Sequence, residues 1–163
     1  LFRSPVNVYG ESKLAGERAV EELLERYFIV RISWVFGKHG NNFVKTMLRL
    51  AESGREIRVV HDQVGSPTYI ADLAPLLCDM VETEKYGIYH AANEGFCSWA
   101  EFAEEIFRQS GQDVAVRRLT TEEYPVRARR PLNSRLGKGK LAENGFAPLP
   151  EWRDGLRRYL AEL

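Results

Sequence analysis

The sequence runs to 163 residues with 44% apolar side chains, enough for one domain with a real core and too apolar for a disordered tail. Its 23 Lys and Arg balance 23 Asp and Glu, which excludes the overall basic field that draws proteins to nucleic acid or anionic membranes. No apolar run approaches the ~20 residues of a transmembrane helix and no secretory leader is visible. Cys78 and Cys97 have no CxxC partner and are expected as buried free thiols, which suits a reducing, cytoplasmic compartment. His39, His61 and His90 lack metal-ligand spacing and no HExxH occurs, so no metal site is expected. No G-x-S-x-G elbow points to a serine hydrolase.

The first predicted element carries the chemistry. Pro5 breaks what precedes, Asn7 is a plausible cap, and Leu14, Ala15, Ala19, Val20, Leu23 and Leu24 form an apolar stripe opposite Glu11, Glu17, Glu21, Glu22 and Glu25. Tyr9 and Lys13 share one face of this helix about one turn apart, at roughly 6 Å. A free phenol gives up its proton poorly near neutrality, and a cation held beside it favours the phenolate, so the pair is a proton-donor arrangement. A bare Tyr-x3-Lys also arises by chance, as a solvated Lys beside a half-buried Tyr.

Residues 27 to 33 read as a buried parallel strand. Ligands of open α/β sheets lie beyond the carboxyl ends of strands, so residues 33 to 43 are the expected place for substrate contacts. Trp34 there suits a core or a stacking role equally. Asn42 caps a helix over 43 to 53 closed by Gly54, with Phe43, Val44, Met47, Leu48, Leu50 and Ala51 inward. A short strand over 57 to 60 leads to a loop over 61 to 69, either a well-capped connection or the wall of a site. A helix over 70 to 82, a strand over 86 to 92, and a helix capped by Ser98 with Glu101 in a capping box and Gly111 as its stop come next. An edge strand is predicted over 114 to 119.

Arg127, Arg129 and Arg130 form either a solvated, salt-bridged patch or an anion site for a phosphorylated small molecule, since guanidinium groups hold phosphate oxygens in pairs. A short helix over 141 to 145 and a terminal helix with Trp152, Leu156, Tyr159 and Leu160 inward complete an α/β pattern without internal repeats. The chain starts at Leu1, its best motif falls in the first fifteen residues, and it holds no glycine-rich dinucleotide turn. A preceding segment is therefore expected.

These residues resemble a known family. Val8-Tyr9-Gly10-Glu11-Ser12-Lys13-Leu14 followed by Gly16-Glu17 resembles the YxxxK helix of extended short-chain dehydrogenases. Arg31 to Gly37, Asn42-Phe43-Val44, Asp62 to Thr68 and Arg129-Arg130-Pro131 with Asn133-Ser134 resemble one branch of it, the dTDP-4-dehydrorhamnose reductases. The resemblance implies the C-terminal part of a Rossmann-like fold plus its smaller α/β substrate-binding domain, with residues 1–40 closing the dinucleotide-binding domain, residues 41–163 mostly substrate-binding, and the amino-terminal cofactor-binding half absent. It implies reduction of the 4-keto group of dTDP-4-dehydro-L-rhamnose by NADPH or NADH. In that chemistry Tyr9 would be the proton donor, Lys13 would hold the nicotinamide ribose, and Trp34 would pack on the deoxysugar. Asn42, Phe43, Arg130 and Asn133 would meet the nucleotide sugar. The resemblance leaves coenzyme preference, a Mg²⁺ requirement and a homodimer open. Two other readings stand beside it: a non-catalytic regulatory subunit of the methionine adenosyltransferase type, and another nucleotide-sugar epimerase or dehydratase.

Overall fold

The computed structural model describes residue 5 and residues 7–124 and 130–163. In chain order the first elements are α1 (Val8–Leu23), β1 (Phe28–Arg31), β2 (Val35–Phe36), α2 (Phe43–Glu52), β3 (Ile57–Val60), β4 (Val64–Gly65) and β5 (Thr68–Tyr69). They are followed by α3 (Ile70–Val81), β6 (Gly87–His90), β7 (Cys97–Ser98), α4 (Trp99–Ser110), β8 (Val116–Leu119), α5 (Gly139–Glu143) and α6 (Trp152–Leu160). No helix among the described residues is long and apolar enough to cross a membrane.

The helix starts follow local chemistry. Asn7 accepts from Gly10 N at 2.9 Å and Asn42 from Lys45 N at 3.0 Å, each satisfying an amide that a first turn leaves unpaired. The Ser98 and Glu101 side chains exchange bonds with each other's backbone in a complete capping box, and Gly111 ends α4 at φ 69°, a left-handed turn that glycine adopts without strain.

Strands among the described residues pair two by two. β1 with β6, β2 with β5 and β3 with β8 are parallel, each pair joined through at least one helix, while β4 and β7 are antiparallel. The stretch 61–69, read as a loop, thus contains two short strands, because Gly65 faces Cys97 and Thr68 faces Val35. β8 is shorter than expected at 116–119. β1 is parallel as expected but half-buried along its length rather than buried.

Two apolar clusters hold the chain. The larger packs α2, α4 and α6 over β2, β3 and β5, with Phe36 ringed by Tyr69, Phe102 and Tyr159 at centroid distances of 5.3, 5.8 and 5.4 Å. Each fully buried ring of this kind contributes roughly 1.5–3 kcal/mol. The smaller joins Leu73, Leu76 and Met80 of α3 to Tyr89 of β6 and Leu141 of α5. A polar joint links α6 to α3, where Arg158 pairs with Asp72 at 2.7 Å, and Asn93 donates to the same carboxylate while accepting from Tyr69 N.

Three expectations need correction. None of the residues of α1 is buried: Leu14 and Val20 are half-covered, while Ala15, Ala19, Leu23 and Leu24 face outward. A bidentate ion pair, Arg31 to Glu17 at 2.8 and 2.5 Å, ties this helix to β1. Leu50 is exposed because the inward stripe of α2 runs through Val44 and Met47. Of the two thiols only Cys97 is buried, and burial pushes it well above its usual range; Cys78 sits on the open side of α3.

Candidate functional site

A cleft of about 310 Å³ is lined by Asn7, Tyr9, Trp34, Gln63, Trp99, Arg130, Pro131 and Ser134. Tyr9 reaches it from the first turn of α1 and is largely exposed, so a ligand can approach the phenol. Lys13 Nζ lies 5.7 Å from the centre of the Tyr9 ring, the shared face that a one-turn spacing dictates.

The floor is a pair of indoles. Trp34 and Trp99 stack with ring centres 3.7 Å apart and planes 14° from parallel, and Phe43 tilts against Trp99 at 4.6 Å. Trp34 is the only non-glycine residue with positive φ among those described, at 48°. A bulky side chain there costs of order 1–3 kcal/mol and persists because the surroundings overdetermine it. Trp34 O accepts from Thr68 N at 3.1 Å, Ser33 O accepts from Thr68 Oγ1 at 2.6 Å, and Ser33 Oγ donates to Ser66 O at 2.8 Å. Gly65 lies against the ring, since a Cβ there would fall 2.6 Å from Trp34 Cε2.

The far wall is stitched to β4. Val64 N donates to Leu132 O and Ser134 N to Val64 O, both at 2.8 Å, which brings Pro131 and Ser134 to the cleft beside Arg130. Arg127 and Arg129 lie outside the described residues.

Tyr9, Trp34 and Arg130 therefore meet in one cleft, with Lys13 behind Tyr9. Asn42 and Phe43 stand behind the wall: Asn42 caps α2 and donates to Gly37 O at 2.8 Å and to the Tyr159 hydroxyl at 3.1 Å, and Phe43 backs Trp99. The Asn133 side chain accepts from Arg135 N and Nε at 3.1 and 3.0 Å. Sequence reasoning did not pick out Gln63, Trp99 or Ser134 as lining residues. Gln63 and Ser134 sat inside motifs already noticed; Trp99, the first residue of an amphipathic helix, carries no local signal separating it from core.

The stitching of 64–68 resolves the two readings of the loop over 61–69. Ser66 and Thr68 are fully buried connectors, while Gln63 forms cleft wall.

Parallel strands linked through helices, with Tyr-x3-Lys opening a helix at the mouth of a ligand-sized cleft, define an α/β protein of the Rossmann-like, extended short-chain dehydrogenase class. Within that class the chain belongs to the RmlD substrate binding domain family, which matches residues 2–163. It is 46% identical over 97% of its length to the spore coat polysaccharide biosynthesis protein SpsK of Bacillus subtilis, and 41% identical over 98% to a dTDP-4-dehydrorhamnose reductase of Escherichia coli. The chain spans 55% and 57% of the lengths of those two relatives. Among solved structures it superposes on a dTDP-4-dehydrorhamnose reductase from Bacillus anthracis, in complex with NADP, with a TM-score of 0.95 and 49% identity, covering 98% of this chain and 57% of that one.

Proposed function

We propose that this chain is the substrate-binding portion of an NAD(P)H-dependent reductase that converts the 4-keto group of dTDP-4-dehydro-L-rhamnose to the alcohol of dTDP-L-rhamnose. The observation that carries the reading is the convergence of Tyr9 and the Trp34–Trp99 floor on one cleft, in a chain whose relatives are named for that reaction. The division at residue 40 into the end of a dinucleotide-binding domain and a mostly substrate-binding remainder follows from the same reading. Support comes from the open apolar face of α1, including Val8, Leu23 and Leu24, and from relatives nearly twice as long.

The exposed phenol of Tyr9 and ammonium of Lys13 suit the hydroxyls of a nicotinamide ribose, and Lys13 would hold that ribose. The coenzyme, when bound, supplies hydride to the carbonyl carbon. Tyr9 gives its proton to the carbonyl oxygen as charge develops there, and the nearby Lys13 cation offsets the negative charge left on the phenol oxygen. Trp34, wedged between Trp99 and Gly65, offers the apolar rim of its indole to the deoxysugar. Arg130 holds diphosphate oxygens through its planar fork. Phe43 backs Trp99, Asn42 caps the helix that carries Phe43, and Asn133 orders the segment that carries Ser134.

The test is a coupled assay on the intact gene product with NADPH and dTDP-4-dehydro-L-rhamnose. Substrate-dependent loss of NADPH absorbance is expected, and its absence with either coenzyme would overturn the reading. The 163-residue chain alone is expected to show no saturable micromolar NADPH binding in calorimetry, because no glycine-rich pyrophosphate turn occurs in it.

A further inference from the structure

Gln63 is an amide placed where amides are costly unless they are used. It is 5% exposed, lines the cleft beside Trp34, Trp99 and Tyr9, and donates from Nε2 to Thr121 Oγ1 at 3.0 Å. The Thr121 hydroxyl has one proton, and it goes to Asp62 Oδ1 at 2.7 Å, while Thr121 N donates to Asp62 Oδ2 at 2.8 Å. Burial pushes the Asp62 carboxyl up, but the two bonds from Thr121, a bond from its own backbone amide and the nearby His61 together hold it below its ordinary range, so it is an anion that only accepts. The chain of donors then has one direction. An ionised Asp62 makes Thr121 Oγ1 a donor toward itself and leaves that oxygen as an acceptor toward Gln63, which must present Nε2 rather than Oε1. The amide cannot flip without setting two acceptors against each other.

The consequence falls on Oε1. Among the described residues no group donates to it, and it is absent from the buried unpaired atoms, which are Gln109 Oε1, Gln112 Oε1 and Trp152 Nε1. Gln63 keeps a small exposed area and is one of the residues that line the cleft. An oriented acceptor beside an indole plate is the arrangement that recognises a sugar ring, whose C–H face lies on the aromatic surface while its rim hydroxyls donate to fixed acceptors.

We infer that Gln63 Oε1 accepts a hydrogen bond from a hydroxyl of the sugar in the cleft, and that Asp62 and Thr121 are positioning residues that lock this amide in its accepting orientation. The inference rests on the nucleotide-sugar reading above and goes beyond it by assigning specificity for a hydroxyl donor to residues other than the proton-donor pair.

Calorimetry on the intact gene product with two probes, dTDP-L-rhamnose and dTDP, tests it. Gln63→Met keeps the length and removes the acceptor, and about a five- to tenfold loss of affinity for dTDP-L-rhamnose is expected, with dTDP unchanged within about twofold. Thr121→Val frees the amide to rotate and is expected to lower sugar-nucleotide affinity about threefold, with Thr121→Ser restoring it. A purely structural role would weaken both probes together, and that result, or unchanged affinity for dTDP-L-rhamnose in Gln63→Met, would overturn the inference. If the parent protein bound neither probe, the nucleotide-sugar reading itself would fall and this inference with it. Should Thr121→Val not fold, the Gln63→Met comparison decides alone.

Discussion

Two helices border the same cleft and are held in opposite ways. α4 brings Trp99 to the floor and buries Ala100, Phe102, Ala103, Ile106 and Phe107, with a capping box at one end and a left-handed glycine at the other. α1 brings Tyr9 to the rim and buries none of its residues, resting on its Asn7 cap and the Glu17–Arg31 pair. Indole floor and phenol are thus anchored independently: one is welded into the larger core, the other stands on a helix whose apolar stripe stays open. Changes to either should therefore leave distinct signatures.

The largest effect is expected at α1 and in rate alone. Tyr9→Phe in the intact protein should lower turnover by about 10²–10⁴-fold with coenzyme affinity and melting temperature nearly unchanged, because the proposed role of the hydroxyl is to give a proton and the exposed ring contributes little packing. Turnover equal to the parent in a steady-state assay would remove Tyr9 as the donor. At α4 the opposite signature is expected. Phe102→Ala should cost about 3–5 kcal/mol in urea unfolding, since its ring is buried against Phe36, Phe43 and Trp152. A loss under about 1 kcal/mol would show that the core collapses around the gap.

Gly65→Ala sharpens the comparison between these extremes. The added methyl meets the Trp34 ring, so about 1–3 kcal/mol of destabilisation is expected together with loss of the near-ultraviolet dichroism of the stacked indoles. An unchanged spectrum would mean the ring moves without unstacking. The smallest effect returns to α1, where Leu23→Ala in the 163-residue chain should change stability by no more than about 0.5 kcal/mol. A loss of about 2 kcal/mol would show that this face is covered by the chain itself.

Local chemistry was readable from residue order. The caps at Asn7, Asn42 and Ser98 and the stop at Gly111 depend on partners within four residues, and the inward faces of α4 and α6 repeat with the helical period, so spacing carries them. The one-turn relation of Tyr9 and Lys13 is local in the same sense. The site was only partly legible. Tyr9, Trp34 and Arg130 were singled out and share the cleft, whereas Asn42 has a second commitment to Tyr159 that no local pattern announces.

What residue order by itself determined was where helices begin and end, which faces are apolar, and that a phenol and an ammonium share one turn; helical period and capping bonds reach only a few residues. Tertiary structure alone decided that Trp34 lies on Trp99, that Gln63 is tied through its amide nitrogen to Thr121, and that the stripe of α1 stays open. Those outcomes depend on pairing between segments far apart in the chain, such as Gly65 with Cys97 and Asp62 with Thr121, and neither period nor propensity encodes which distant backbone comes to lie alongside.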